Sequence, residues 1–382
     1  MFRIFYSQKD AILYEGIPET NTGIDEVLEI GKRYGTDGET LKKSRSVIKF
    51  DMNEISGSLS KYNKSVNDCK FLLKLYTTNA TSLPTSYTIT TNVLAQDWDN
   101  GTGYLNSENI IENGVTWNYA KSGSNWISGS QNIQFGSSSF YIVGSGKGGS
   151  WLSGSSSTAT YYDQTFSIEN GFINNVSESL QPTDIHINVT DAVKMWISGS
   201  GGQSIANHGF LLRFSEADES NANVLGYIRY FSRDSHTVYV PRLIMYWDNS
   251  TFTTGSLTAI NTDSYITYCN IKEQYKDTEV AKIRIYSRDK YPRKSPTNVF
   301  PYQTVKYLPS ASYYTVLDAA TDETIIPYDN IYTKISCDST SNFIHLDFNG
   351  FMPERRYRLE FKIVDGFTEQ YVTDSVYFKV VR

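Results

Sequence analysis

The sequence predicts an all-β protein, and three observations carry that prediction. Aromatic residues are abundant, with 29 tyrosines and 19 phenylalanines in 382 residues. Together with Val, Ile and Thr they suit a pleated, half-buried surface. Apolar and polar residues alternate along many short segments, while long stretches of helical period are missing. Ser, Thr, Asn and Gly fill the intervals, where turns are built.

In chain order, residues 11–15 (AILYE) and 27–30 (VLEI) read as strands separated by the turn-rich PETNTGID. RSVIKFDM (45–52) reads as a strand of mixed burial. A turn-rich connection follows, then the strong strand CKFLLKLY (69–76) and the alternating SYTITTNVLAQDW (86–98). Residues 100–157 are rich in Gly and Ser. GSGKGGSWLSGSSS (144–157) has a linker's composition, but Trp151 inside it does not suit one. Loops of a packed β-domain, anchored by tryptophans, account for it better. The same stretch is no phosphate loop, because the Gly-x4-Gly-Lys-Ser/Thr spacing and a following helix are both missing.

Strands resume near Tyr161. In DIHINVTDAVKMWISG (184–199) alternation leads to Thr190, which is placed to cap a short helical turn ending near Gly199. HGFLLRFSE (208–216), VLGYIRYFSRDS (224–235) and VPRLIMYW (240–247) complete a first domain over 1–250. Residues 251–268 read as a Ser/Thr/Asn linker. Beyond it, short strands at regular spacing over 269–382 predict a smaller sandwich of immunoglobulin or fibronectin type. There Tyr357, four residues after Pro353, is placed to return a hydrogen bond to the backbone at a strand corner.

The net charge of −6 argues against a nucleic-acid partner. The small basic group Lys42, Lys43 and Arg45 reads as a solvated loop before a strand. Cys69, Cys269 and Cys337 are odd in number and far apart, without a zinc-type Cys-x-x-Cys, and read as free buried thiols of a reducing compartment. The N-terminal MFRIFYSQKDAILYEG lacks the apolar core of a secretory signal. No run of about 18 apolar residues predicts a membrane span.

Catalytic patterns are sparse. His186, His208, His236 and His345 form no His-x3-His or His-Glu-x2-His pair. His186 reads as a strand-face residue and His208 as part of a turn. No Gly-x-Ser-x-Gly elbow occurs. Asp97 and Asp99 bracket Trp98, and Asp184 and Asp191 flank a strand. An ordinary turn is the first reading of DWDNGTG, an oxygen-lined calcium loop the second, and glycosidase chemistry a distant third. The expectation is a non-enzymatic chain with no cofactor and no metal. Among the tryptophans, Trp98, Trp117, Trp196 and Trp247 read as packing residues. Trp126 and Trp151, set in Gly/Ser loops, are the candidates for an exposed contact with a glycan ring or a partner.

Several motifs also occur in a particular order. KDAILYEGIPETNTGIDEVLEIG then RSVIKFDM supplies Asp10, Ala11, Asn21, Gly23, Leu28, Gly31, Phe50 and Asp51. FLLKLY, WDNGTG, GVTWNY, DIHINVTDAVKMWISG, NHGFLLRF and a closing SRDSHTVYVPRLIMYW follow. This succession resembles the DNRLRE domain over residues 1 to about 248. The segment 129–161, with its long loops, departs from the simplest form of that pattern. The resemblance implies a jelly-roll-like sandwich related to carbohydrate-binding modules, with no catalytic residues to carry over. Such domains occur on secreted proteins and in tailed-bacteriophage particles. With no secretory signal in view, the expectation is a virion structural protein assembled in the host cytoplasm. It would sit at the neck or tail as a homo-oligomeric ring or symmetric decoration, contacting other virion proteins. A glycan-binding adhesin or receptor-binding module is the alternative.

Overall fold

The computed structural model describes residues 1–35, 37–105, 113–129, 132–135, 138–154, 160–169, 172–174, 184–197, 205–260, 265–366 and 368–382. Strands dominate and fall into several sheets, so the chain is an all-β sandwich protein. It divides into two compact units. The first is Phe5–Ile244; the second joins Met1–Ile4 to Met245–Arg382.

The first unit opens with the part of β1 (Phe2–Tyr14) from Phe5 onward, then β2 (Val27–Tyr34), β3 (Leu41–Phe50), β4 (Cys69–Leu75), β5 (Thr77–Thr81) and β6 (Ser86–Val93). Later strands pair between or beside these early ones. Phe210–Phe214 pairs with β3 on one side and β6 on the other. Ile185–Asn188 pairs with β4, and Gly226–Phe231 joins β2 to β5. Most of these contacts are remote in sequence, the arrangement that a returning β topology requires.

The register brings together residues from three strands. Val47 stands opposite Ala11 of β1 and Leu211 of the strand Phe210–Phe214. Their chain neighbours Ile12, Ile48, Phe210 and Leu212 point to the other face and are also buried. Both faces of this part of the sheet are therefore apolar. A sheet covered on both sides reads as continuous apolar runs, which is what DAIL, SVI and GFLL show.

Among the described residues three α-helices interrupt the strands, and two differ from the sequence-based expectation. Helix α1 (Met52–Lys61) occupies the stretch read as turns. Asp51 caps it by accepting from Asn53 N, and Ile55, Ser58 and Leu59 form its buried face. Its Ser- and Gly-rich sequence has poor helix propensity, and packing of one face overrides that. Helix α2 (Thr190–Ile197) lies where expected. Its first amide donates to Asn188 Oδ1 at 3.1 Å, so Asn188 provides the capping acceptor instead of Thr190. Residues 198–204, where its end was expected, lie outside the described residues. Helix α3 (Glu216–Ser220) is a single turn capped by Ser215. The fully buried Lys32 ammonium donates to the carbonyls of Asp218, Glu219 and Asn221 at its C-terminal end. Those three acceptors satisfy the ammonium's three donors and meet the negative end of the helix.

One buried carboxyl makes the first unit sensitive to pH. Asp10 accepts from Arg233 N at 2.9 Å and from Ser7 Oγ at 3.3 Å. Burial outweighs the lowering effect of the Arg233 hydrogen bond and pushes its pKa up to about 7. A folded-state pKa above the unfolded one means the fold holds the proton more tightly. The contribution to stability is then complete below about pH 4 and is lost as pH rises through about 7. Asp10→Asn, which keeps the shape of the protonated acid, is expected to flatten the stability profile between those limits. Denaturant unfolding across that pH range checks it; an unchanged slope contradicts it.

The second unit is a sandwich of two sheets. One has Val280–Asp289 at its centre, between Tyr265–Asn270 and Asn342–Asp347. The other is built on the hairpin Arg356–Asp365 and Thr368–Val381, with Ser312–Asp318 alongside. Arg356–Asp365 alternates buried and half-exposed positions along most of its length. An aromatic cluster fills the interior: Tyr275 stacks on Phe348 at 4.3 Å, and Phe351 meets Tyr357 edge-on at 4.7 Å. Tyr357 makes the expected corner. Its hydroxyl accepts from Met352 N at 2.9 Å and donates to Met352 O at 3.2 Å.

Candidate functional site

The Gly/Ser-rich segment covers the second apolar face of the first unit. Ala11, Leu13, Val47 and Leu211 from the sheet form one cluster with Leu94, Trp98, Val115, Trp117, Ala120, Trp126 and Trp151. Polar contacts hold this cover down. Trp98 Nε1 donates to His208 O at 2.9 Å, and Trp126 Nε1 to Thr116 O at 3.1 Å. The Asn21 side chain, fully buried, donates to Asn100 O and Val115 O and accepts from Gly103 N. Gly101 (φ 78°) passes so close that a Cβ there would lie 2.3 Å from Asn21 Oδ1. Only glycine allows that approach.

Trp126 and Trp151 therefore do not have the exposed rings the sequence suggested. They are only 2% and 8% exposed. The physical reason is the apolar sheet face beneath them, which composition of the loop alone does not reveal. Residues 155–157, the end of the linker-like stretch, lie outside the described residues.

A charged pivot sits at the edge of this layer. Arg45 grips Glu219 with two hydrogen bonds, 2.8 Å from Nε and 2.6 Å from Nη2, and donates a third to Gly148 O. Its guanidinium lies 5.2 Å from the Trp117 ring and 5.5 Å from Trp151. Arg213 lies 4.6 Å from Trp151 on the same layer and 3.6 Å from Glu219. Burial pushes the Glu219 carboxyl up, but the Arg45 and Arg213 charges outweigh it and hold it below its ordinary range. Lys43 Nζ adds a third cation at 3.6 Å. The basic group read as a solvated loop is thus part of β3, with Arg45 buried in an ion pair.

The other residues singled out in the sequence have the following surroundings. Asp97 accepts from Lys49 at 2.9 Å and Lys121 at 3.1 Å, with Lys9 3.8 Å away. Against the effect of partial burial, those cations hold its carboxyl well below the usual range. Three ammonium groups around Asp97 would oppose a cation at that carboxylate. Asp184 Oδ1 accepts from Thr77 N at 2.8 Å, and Asp191 opens α2. His186 sits on its strand opposite Lys74, and burial lowers its pKa to about 4. Cys69 and Cys337 are buried and Cys269 half-buried; burial raises their thiols to about 11, 11 and 12. Among the described residues, no group of three or more His, Cys, Asp or Glu is arranged to hold a metal ion.

The surface that sequence reading missed lies in the second unit. Between Val280–Asp289 and Lys306–Tyr307 runs YPRKSPTNVFPYQ (291–303). Tyr291 is 76% exposed, and Phe300 and Tyr302 are similarly open. Arg288 lies over the Tyr302 ring at 5.2 Å. A cleft of about 610 Å3 opens here, lined among others by Asp289, Tyr291, Arg293, Asn298, Thr304 and Lys306. Lys306 Nζ donates to Asp289 Oδ2 at 2.7 Å, and Asn298 Nδ2 to Thr304 Oγ1 at 2.8 Å. Asp289 Oδ1 is buried and accepts no hydrogen bond from any described residue. The available signal was three prolines punctuating a segment that keeps its aromatics, since such a segment cannot bury them in a ladder.

No family model matches the chain, and no curated protein matches it. The resemblance to DNRLRE domains therefore rests on the order of its motifs.

Proposed function

We propose that the chain is a non-enzymatic structural component of a tailed-bacteriophage particle. It would stand at the neck or tail and contact neighbouring virion proteins through both sandwich units. The observation that carries this reading is the distribution of exposed aromatics. Among the described residues, the smaller second unit bears most of the exposed large apolar side chains, including Tyr268, Tyr291, Phe300, Tyr302 and Tyr371. Aromatic side chains are enriched at protein contact surfaces, which suits this distribution. The pinned tryptophan layer supports the same reading, because it holds the described residues around Trp117, Trp126 and Trp151 in one packed layer.

Mass spectrometry of purified particles from the source virus tests the proposal. The expected result is a fixed copy number matching a symmetry axis of the particle. Phe300→Ser with Tyr302→Ser is expected to leave the chain folded yet deplete it from particles several-fold. Finding the unaltered chain free in the medium and missing from particles would sink the reading.

A further inference from the structure

The cleft of the second unit combines three features. The first is an unmet buried acceptor, Asp289 Oδ1. The second is an unpaired cation: Arg293 is exposed, lines the cleft, and forms no ion pair or hydrogen bond with any described residue. The third is a largely exposed aromatic ring, Tyr291, with the Lys290 ammonium 5.6 Å from its centre. Hydroxyl and amide groups of Thr258, Asn298 and Thr304 complete the lining.

Each feature narrows the ligand. A free guanidinium matches a carboxylate, which it can hold with two parallel hydrogen bonds. An acceptor already paired with Lys306 asks for a neutral donor such as a hydroxyl, since a second cation would have to approach that ammonium. An open tyrosine ring offers an apolar face with a polar tip. A carboxylate, hydroxyls and an apolar ring face occur together in a uronic acid. An acidic peptide side chain supplies the carboxylate and lacks the adjacent hydroxyl. The volume suits one or two sugar rings.

We propose that this cleft binds an acidic saccharide. Its carboxylate rests on Arg293, a hydroxyl donates to Asp289 Oδ1 once that side chain turns toward the cleft, and the ring packs on Tyr291. This site stands whether or not the chain belongs to a particle, so its failure leaves the virion reading untouched.

Calorimetric titration of the full chain with glucuronate, galacturonate, glucose, acetate and a glutamate-rich peptide tests it. At least one uronate is expected to bind about tenfold or more tightly than glucose, acetate or the peptide, the advantage one charge-assisted contact supplies. Arg293→Gln is expected to erase the preference for uronate over glucose, and Tyr291→Ala to weaken both. Both side chains are exposed, so unchanged thermal midpoints should accompany these losses. Equal binding of uronates and acetate, no uronate binding in the millimolar range, tighter peptide binding, or uronate binding unchanged by Arg293→Gln would each overturn the proposal.

Discussion

Replacing Glu219 with Gln is expected to destabilise the first unit by about 3–5 kcal/mol, the range for removing one partner of a buried ion pair. Three cations converge on this carboxylate, and two of them, Arg45 and Arg213, are themselves buried. Glutamine preserves the shape and removes the charge, leaving two guanidiniums facing each other across a neutral amide. The drop in thermal midpoint should be roughly ten degrees for a unit of this size. Lys43 is about one-third exposed, and Lys43→Ala serves as the comparison. Its loss should cost under about 1 kcal/mol, as for surface pairs. Calorimetry of the two variants decides the matter. Equal small shifts would mean that Glu219 is not the pivot described.

Trp126→Ala should cost a comparable amount, about 3–5 kcal/mol, because it empties an interior site and strands the Thr116 carbonyl. The same substitution at Tyr291 should change stability by less than about 0.5 kcal/mol. The contrast matters because composition alone points the other way, with Trp126 in a Gly/Ser loop and Tyr291 between strands. Limited proteolysis gives a second measure. Cleavage between residues 94 and 154 should accelerate strongly in Trp126→Ala and not in Tyr291→Ala. Equal resistance of the two variants would refute a packed tryptophan layer.

These residues also show where the sequence could be read and where it could not. Strands such as Arg356–Asp365 were legible because one face is buried and period-two alternation follows directly. The Tyr357 corner was legible because a local spacing sets it. Trp126 and Trp151 were misjudged because their burial depends on strands far away in the chain. The clue lay in those strands, where Ala11–Ile12–Leu13 and Val47–Ile48 are apolar on both faces and require a cover. Helix α1 escaped notice because its Ser/Gly composition argues against a helix that tertiary packing then imposes. The cleft depends on side chains from 258 to 306, and no local motif announces that convergence.

The partition of the chain also bears on how it is made. Residues 1–4 belong with residues 245–382, so the larger unit is an insertion within the smaller one. Phe2 packs on Phe351 at 5.3 Å, and the Met1 ammonium donates to Trp247 O and Tyr332 O. During vectorial synthesis these residues leave the ribosome ahead of the larger unit, while their partners follow only after the 240 residues of Phe5–Ile244. At ordinary elongation rates that is a wait of about ten seconds or more. The larger unit has its whole sequence by then and can close first. Until the last strands arrive, the apolar start of β1 has nothing to pack on and is a natural client for a chaperone. A chain truncated after residue 250 would keep that sticky end permanently.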